Sequence, residues 1–88
     1  MLLLYFFTRG SHMLEKLANL QHEIWSHWMT YLFEVSTLNE DGSVTIPADK
    51  VERWKRQMKT HYLELPINEK KSDLEQAQKV IDVIDGLA

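Results

Sequence analysis

The sequence contains no cysteine, so it holds neither a disulfide staple nor a thiolate to act as nucleophile or soft metal ligand. Glycine occurs three times and proline twice in 88 residues, and no glycine-rich phosphate loop can be read from them. There is no excess of basic charge. The formal net charge is −3, which disfavours non-specific nucleic-acid binding and a polybasic membrane anchor, since both rest on cations against phosphate. There is also no long apolar run. Met1 to Thr8 (MLLLYFFT) is far shorter than the roughly 20 residues a membrane span needs. It lacks the basic start and small-residue cleavage site of a signal peptide. These absences together lead to an expectation of a cytoplasmic protein without nucleic acid or membrane among its partners.

Arg9-Gly10-Ser11-His12-Met13 has the form of a cleavable-tag remnant, which places residues 1–12 outside the fold and the native start at Met13. Residues 13–88 then suffice for one domain, whose hydrophobic core must be modest.

The hydrophobic pattern of that domain is helical. Leu14 to Leu38 reads as one long helix. At 100° per residue, Leu17, Leu20, Ile24, Trp28, Tyr31, Leu32 and Val35 share a face, and Ala18, Trp25, Met29 and Phe33, with His22, widen it along one flank. The resulting arc is roughly twice the 100° stripe of an ordinary surface helix. Asn39-Glu40-Asp41-Gly42-Ser43 reads as a loop, and Val44-Thr45-Ile46 as extended chain before Pro47. Pro47 opens a second helix to about Lys59, with Val51, Trp54 and Met58 as its expected buried stripe. A connector from Thr60 to Leu65 leads to Pro66 and a last helix ending near Asp85. An irregular first turn is allowed before Ser72. Its expected buried stripe is Leu74, Ala77, Ile81 and Ile84, flanked by Val80, and Gly86 is its stop. No strand strong enough to build a sheet is read. The fold class is all-α: a small three-helix domain with a long first helix and an extended loop before helix two.

Catalytic and metal chemistry find little footing. His22 and His27 are five residues apart, whereas a zinc pair on a helix needs i and i+4 to share a face. No serine sits in a nucleophile elbow. Glu69 and Asp73, at i and i+4, read as a solvated helix face. No metal and no cofactor is assigned. The basic set Arg53, Lys55, Arg56 and Lys59 on helix two suits either solvent or a local anion site. In the second reading it acts with Trp25, Trp28, Trp54, Tyr31 and Tyr62, since a purine nucleotide needs aromatic faces for its base and cations for its phosphates.

Two segments carry a resemblance. One is Leu17-Ala18-Asn19-Leu20-Gln21-His22-Glu23-Ile24-Trp25. The other is Tyr62-Leu63-Glu64-Leu65-Pro66-Ile67-Asn68-Glu69-Lys70, followed by Lys71-Ser72-Asp73. Their order resembles the ryanodine-receptor repeat, or RyR domain. That small helical module opens with His-Glu-x-Trp and carries an aromatic, Leu-Pro and Glu-Lys before its last helix. The likeness spans about half of residues 13–88, at their two ends. The middle departs from the family, with Tyr31-Leu32-Phe33 and a different loop in place of a Gly-Trp-x-Tyr-Gly segment.

The resemblance implies a stand-alone prokaryotic or phage-type binding module and not an enzyme, with adenine nucleotide or another nucleotide-derived signal as ligand. Phage–host nucleotide signalling is the implied setting. Trp25 becomes the stacking candidate with His22 on its flank, and Tyr62 matches the aromatic before Leu-Pro. Arg53, Arg56 and Lys70 are added from charge. The competing expectation is a protein-interaction or homo-oligomerisation module in which another chain buries the flank of Trp25, Met29 and Phe33.

Overall fold

The computed structural model describes residues 11–86; the apolar segment 1–8, read above as lying outside the fold, falls beyond them. The described chain runs α1 (Ser11–Val35), β1 (Thr37–Leu38), β2 (Val44–Thr45), α2 (Ala48–Met58), a 3-10 turn (Tyr62–Glu64) and α3 (Ile67–Ile84). It is mostly helical, with three helices and a long first one, as its periodicity implies.

Four local expectations are corrected. Helix α1 is already formed at Ser11, three residues before the predicted start, since nothing in Ser11-His12-Met13 interrupts it. It stops at Val35, three residues before the predicted end. The Ser36 hydroxyl turns back to donate to the Leu32 carbonyl at 2.6 Å, and the Ser36 amide bonds Phe33, a tightened last turn. The chain then forms a minimal sheet where none was predicted. Thr37 pairs with Thr45 and Leu38 with Val44, antiparallel. The turn between them makes this possible. Gly42 takes φ 90°, the Asn39 amide bonds the Ser43 carbonyl at 2.8 Å, and Asp41 Oδ1 accepts from the Ser43 amide and hydroxyl. Asn39 Nδ2 donates to Ser43 and Thr45 hydroxyls, both at 3.0 Å. Finally, α3 is regular from Ile67, without an irregular first turn.

Both prolines sit one position outside their helices. The Pro47 carbonyl accepts from the Lys50 and Val51 amides, and that of Pro66 from Glu69 and Lys70. These carbonyls start the two ladders without needing proline's missing N–H. Gly86, at φ 74°, closes α3 through its amide to the Val83 carbonyl.

The N-terminal half of α1 lies antiparallel to the C-terminal half of α3. One groove joins Glu15, Asn19, Leu20 and Glu23 to Lys79, Asp82 and Val83. Leu20, at 5% exposure, and Val83, at 9%, are the only buried hydrophobic residues among those described. On α1 the inward face is the expected one: Leu17, Ile24, Trp28, Tyr31, Leu32 and Val35 are all half-buried.

On α3 it is not. Leu74, Ala77, Ile81 and Ile84, the expected core stripe, are exposed, while Glu69, Ser72, Gln76, Val80 and Val83 turn inward. Helix α3 is oriented by Val83 at one end and by the ion pair of Glu69 with Arg56 at the other, not by its most apolar face. On α2, Val51 and Trp54 are half-buried as expected, but Met58 is exposed. No helix among the described residues is long and apolar enough to cross a membrane.

Candidate functional site

Where α1 and α3 diverge, α2 and the 3-10 turn fill only part of the gap. The remainder is an open cleft of about 630 Å³. Helix α1 supplies Trp28, Met29, Tyr31 and Leu32 to it, and α2 supplies Arg53, Trp54 and Gln57. Tyr62 and Leu65 come from the connector, and Glu69, Ser72 and Asp73 from α3. The walls therefore combine four aromatic rings with polar side chains that include Arg53, Gln57, Glu69 and Asp73.

The contacts within it are specific. Tyr31 and Trp54 meet edge to face, centroids 6.4 Å apart at 63°. Arg53 Nη2 donates to the Tyr31 hydroxyl at 2.9 Å, which holds the guanidinium against the α1 wall. Arg56 Nη2 donates to Glu69 Oε2 at 2.6 Å. This bond, helped by the neighbouring Gln57 amide and then by the charges of Arg56 and Arg53, outweighs desolvation and lowers the Glu69 carboxyl from its ordinary value. The Lys70 ammonium lies 5.9 Å from the Tyr62 ring centroid, within cation–π reach. Two polar atoms remain buried without a partner: Arg53 Nε and Glu69 Oε1. One is a donor, the other an acceptor, and both belong to residues that line the cleft.

The residues singled out from sequence divide between two places. Arg53 and Tyr62 line the cleft, Arg56 reaches its edge through Glu69, and Lys70 packs on Tyr62. His22 and Trp25 lie elsewhere, on the outer flank of α1. Their rings stack at 5.8 Å and 24°, and Trp25 is exposed and contributes nothing to the cleft. Of the three flank residues expected at an interface, Met29 lines the cleft, while Trp25 and Phe33 are exposed. Trp28, Tyr31 and Trp54 read from sequence as core or as companions to a basic patch; here they wall the cleft. Glu69 read as solvated surface. The signal for it was its place one turn into a helix whose connector carries Tyr62, next to an arginine-rich α2.

A second groove, of about 620 Å³, lies on the other side of the α1–α3 pair. It is polar, with Glu15, Lys16, Asn19, Glu23, Lys79 and Asp82, and it includes His12. Among the described residues no three histidine or carboxylate side chains gather as a metal site would require.

Comparison with family models, with curated proteins and with solved structures finds no match to this chain.

Proposed function

We propose that this chain is a binding module whose aromatic cleft takes a small nucleotide-derived molecule and releases it unchanged. The observation that carries the reading is that Arg53 and Glu69, each holding one buried polar atom without a partner, line the same cleft, walled by Trp28, Tyr31, Trp54 and Tyr62. A buried donor or acceptor left unsatisfied costs about 1–3 kcal/mol, so both side chains gain if they shift to meet a polar ligand in the cleft. The arginine N–H suits a phosphate or carbonyl oxygen. The carboxylate suits an amino or imino group of a base, or a ribose hydroxyl. Between them, a planar ring stacking on the walls gains about 1–3 kcal/mol. The cleft volume falls within the roughly 300–1,000 Å³ of known ligand sites.

Binding without turnover is the corresponding reading, since no histidine lines the cleft to activate Ser72 or Thr60. The likeness of His22-Glu23-Ile24-Trp25 and of the Tyr62 to Lys70 segment to the RyR domain supports the same ligand class, as an adenine nucleotide, an ADP-ribose or a cyclic nucleotide signal. A role in phage–host nucleotide signalling is the setting that likeness suggests. The geometry favours the cleft over the Trp25 flank as the place of binding.

Calorimetry against adenine nucleotides, ADP-ribose and cyclic di- or oligonucleotides tests the reading. At 100 times its dissociation constant, a true ligand adds about 2.7 kcal/mol to stability. Arg53→Ala and Tyr62→Ala weaken binding at least tenfold, and Trp25→Ala leaves it within about twofold, differences of more than 1.4 and under 0.5 kcal/mol. Absence of heat across the panel, or loss of binding in Trp25→Ala alone, contradicts it.

A further inference from the structure

We infer that the α1–α3 pair is half of a homodimer, joined through an apolar face made by Leu14 and Trp25 of α1 with Leu74, Ile81 and Ile84 of α3. The inference is independent of what the cleft binds. These five side chains are between 49% and 61% exposed. On each helix they are displaced from the inward face in the same rotational sense along the sequence, by roughly 70–105° on α1 and 80–160° on α3, at 100° per residue. The two helices are antiparallel, so an equal sense of displacement brings both sets to one side of the pair. The polar groove of Glu15, Lys16, Asn19, Glu23, Lys79 and Asp82 is displaced in the opposite sense on both helices. The pair is thus a two-helix layer with one polar and one apolar side. The sequence pointed to the α1 flank as an interface; α3 doubles it, while Met29 belongs to the cleft.

Two arguments make a second copy the occupant. Among the described residues only Leu20 and Val83 are buried hydrophobics, little core for a domain of this size. A second copy carries the same apolar patch and so offers the layer a self-complementary cover. The area is also adequate. About half of each of these five large side chains exposes on the order of 600 Å², at the lower end of the roughly 600–1,000 Å² per partner of a stable interface. A twofold axis through the face lays two such layers together as a four-helix arrangement, each copy offering the same patch.

The full chain has no cysteine, so single thiols report on single sites. Sedimentation of the full chain over a wide concentration range, with thiol labelling of Ile81→Cys, Ile84→Cys and Lys79→Cys, tests the inference. The expected result is twice the chain mass, with both isoleucine positions labelling about tenfold or more slowly than position 79, because they react only on opening. Two results overturn it. A monomer at every concentration does so; if positions 81 and 84 are slow in that monomer, segment 1–8 covers the face instead. A dimer in which all three positions label at one rate places the interface elsewhere.

Discussion

Arg53 and Glu69 carry the most information per residue in this chain. Each is tied to one side chain, Arg53 to Tyr31 within the cleft and Glu69 to Arg56 at its edge, and each keeps one polar atom without a partner. Neither was visible as a pair in the sequence, where they stand sixteen positions apart on different helices. Sequence spacing reveals partners on one helix face; it does not reveal partners that tertiary packing brings together. The arginine was legible as one cation in a basic set, but its hydrogen bond to Tyr31 was not. The lowered carboxyl of Glu69 has a direct consequence for acid stability. A carboxylate whose folded value lies below its unfolded one contributes stability that is complete above about 4.3, the unfolded glutamate value. That contribution drains away as the pH falls through the lower folded value. Acid titration of the fold by circular dichroism should therefore show a shallower decline for Glu69→Gln than for the parent chain across that window, starting from a lower stability at neutral pH. Identical acid limbs would mean that the Arg56–Glu69 pair does not couple to folding.

At the scale of elements, α1 and α3 show what hydrophobic periodicity can reveal. Both helices have well-marked apolar stripes. On α1 the stripe through Leu17, Leu20 and Ile24 faces the chain's own interior, and on α3 the stripe through Leu74, Ile81 and Ile84 does not. Periodicity identifies the face that needs cover; it is silent on whether the cover comes from the same chain. The hairpin escaped notice for a different reason. Strands of two residues leave no alternation to detect, and only the turn chemistry of Asn39, Asp41 and Gly42 signals them. That turn is checked by Gly42→Ala. No atom crowds a methyl group there, but φ is +90°, so the strain of the left-handed region remains and should lower stability by about 1 kcal/mol in thermal or urea unfolding. An unchanged midpoint would show that the hairpin frays without consequence for the helices.

Over the described residues the molecule has two parts, a two-helix layer of α1 and α3 and an open cleft to which α2 contributes Arg53, Trp54 and Gln57. The excess of aromatic side chains in the sequence is thereby split between two uses: Trp28, Tyr31, Trp54 and Tyr62 for the cleft, and Trp25 for the apolar face. Composition showed the excess but could not show the split, which depends on which aromatic side chains of α1, α2 and the connector meet around the cleft. The central claim, that the aromatic cleft binds a nucleotide-derived molecule, has a direct test in the three tryptophans of the chain. Their indole N–H signals, assigned by single substitutions, can be followed by NMR as the nucleotide panel is titrated. The account predicts that a ligand moves the signals of Trp28 and Trp54 together, in proportion to occupancy, and leaves Trp25 in place. A panel member that moves Trp25 alone, or a full panel that moves none of the three, would contradict it.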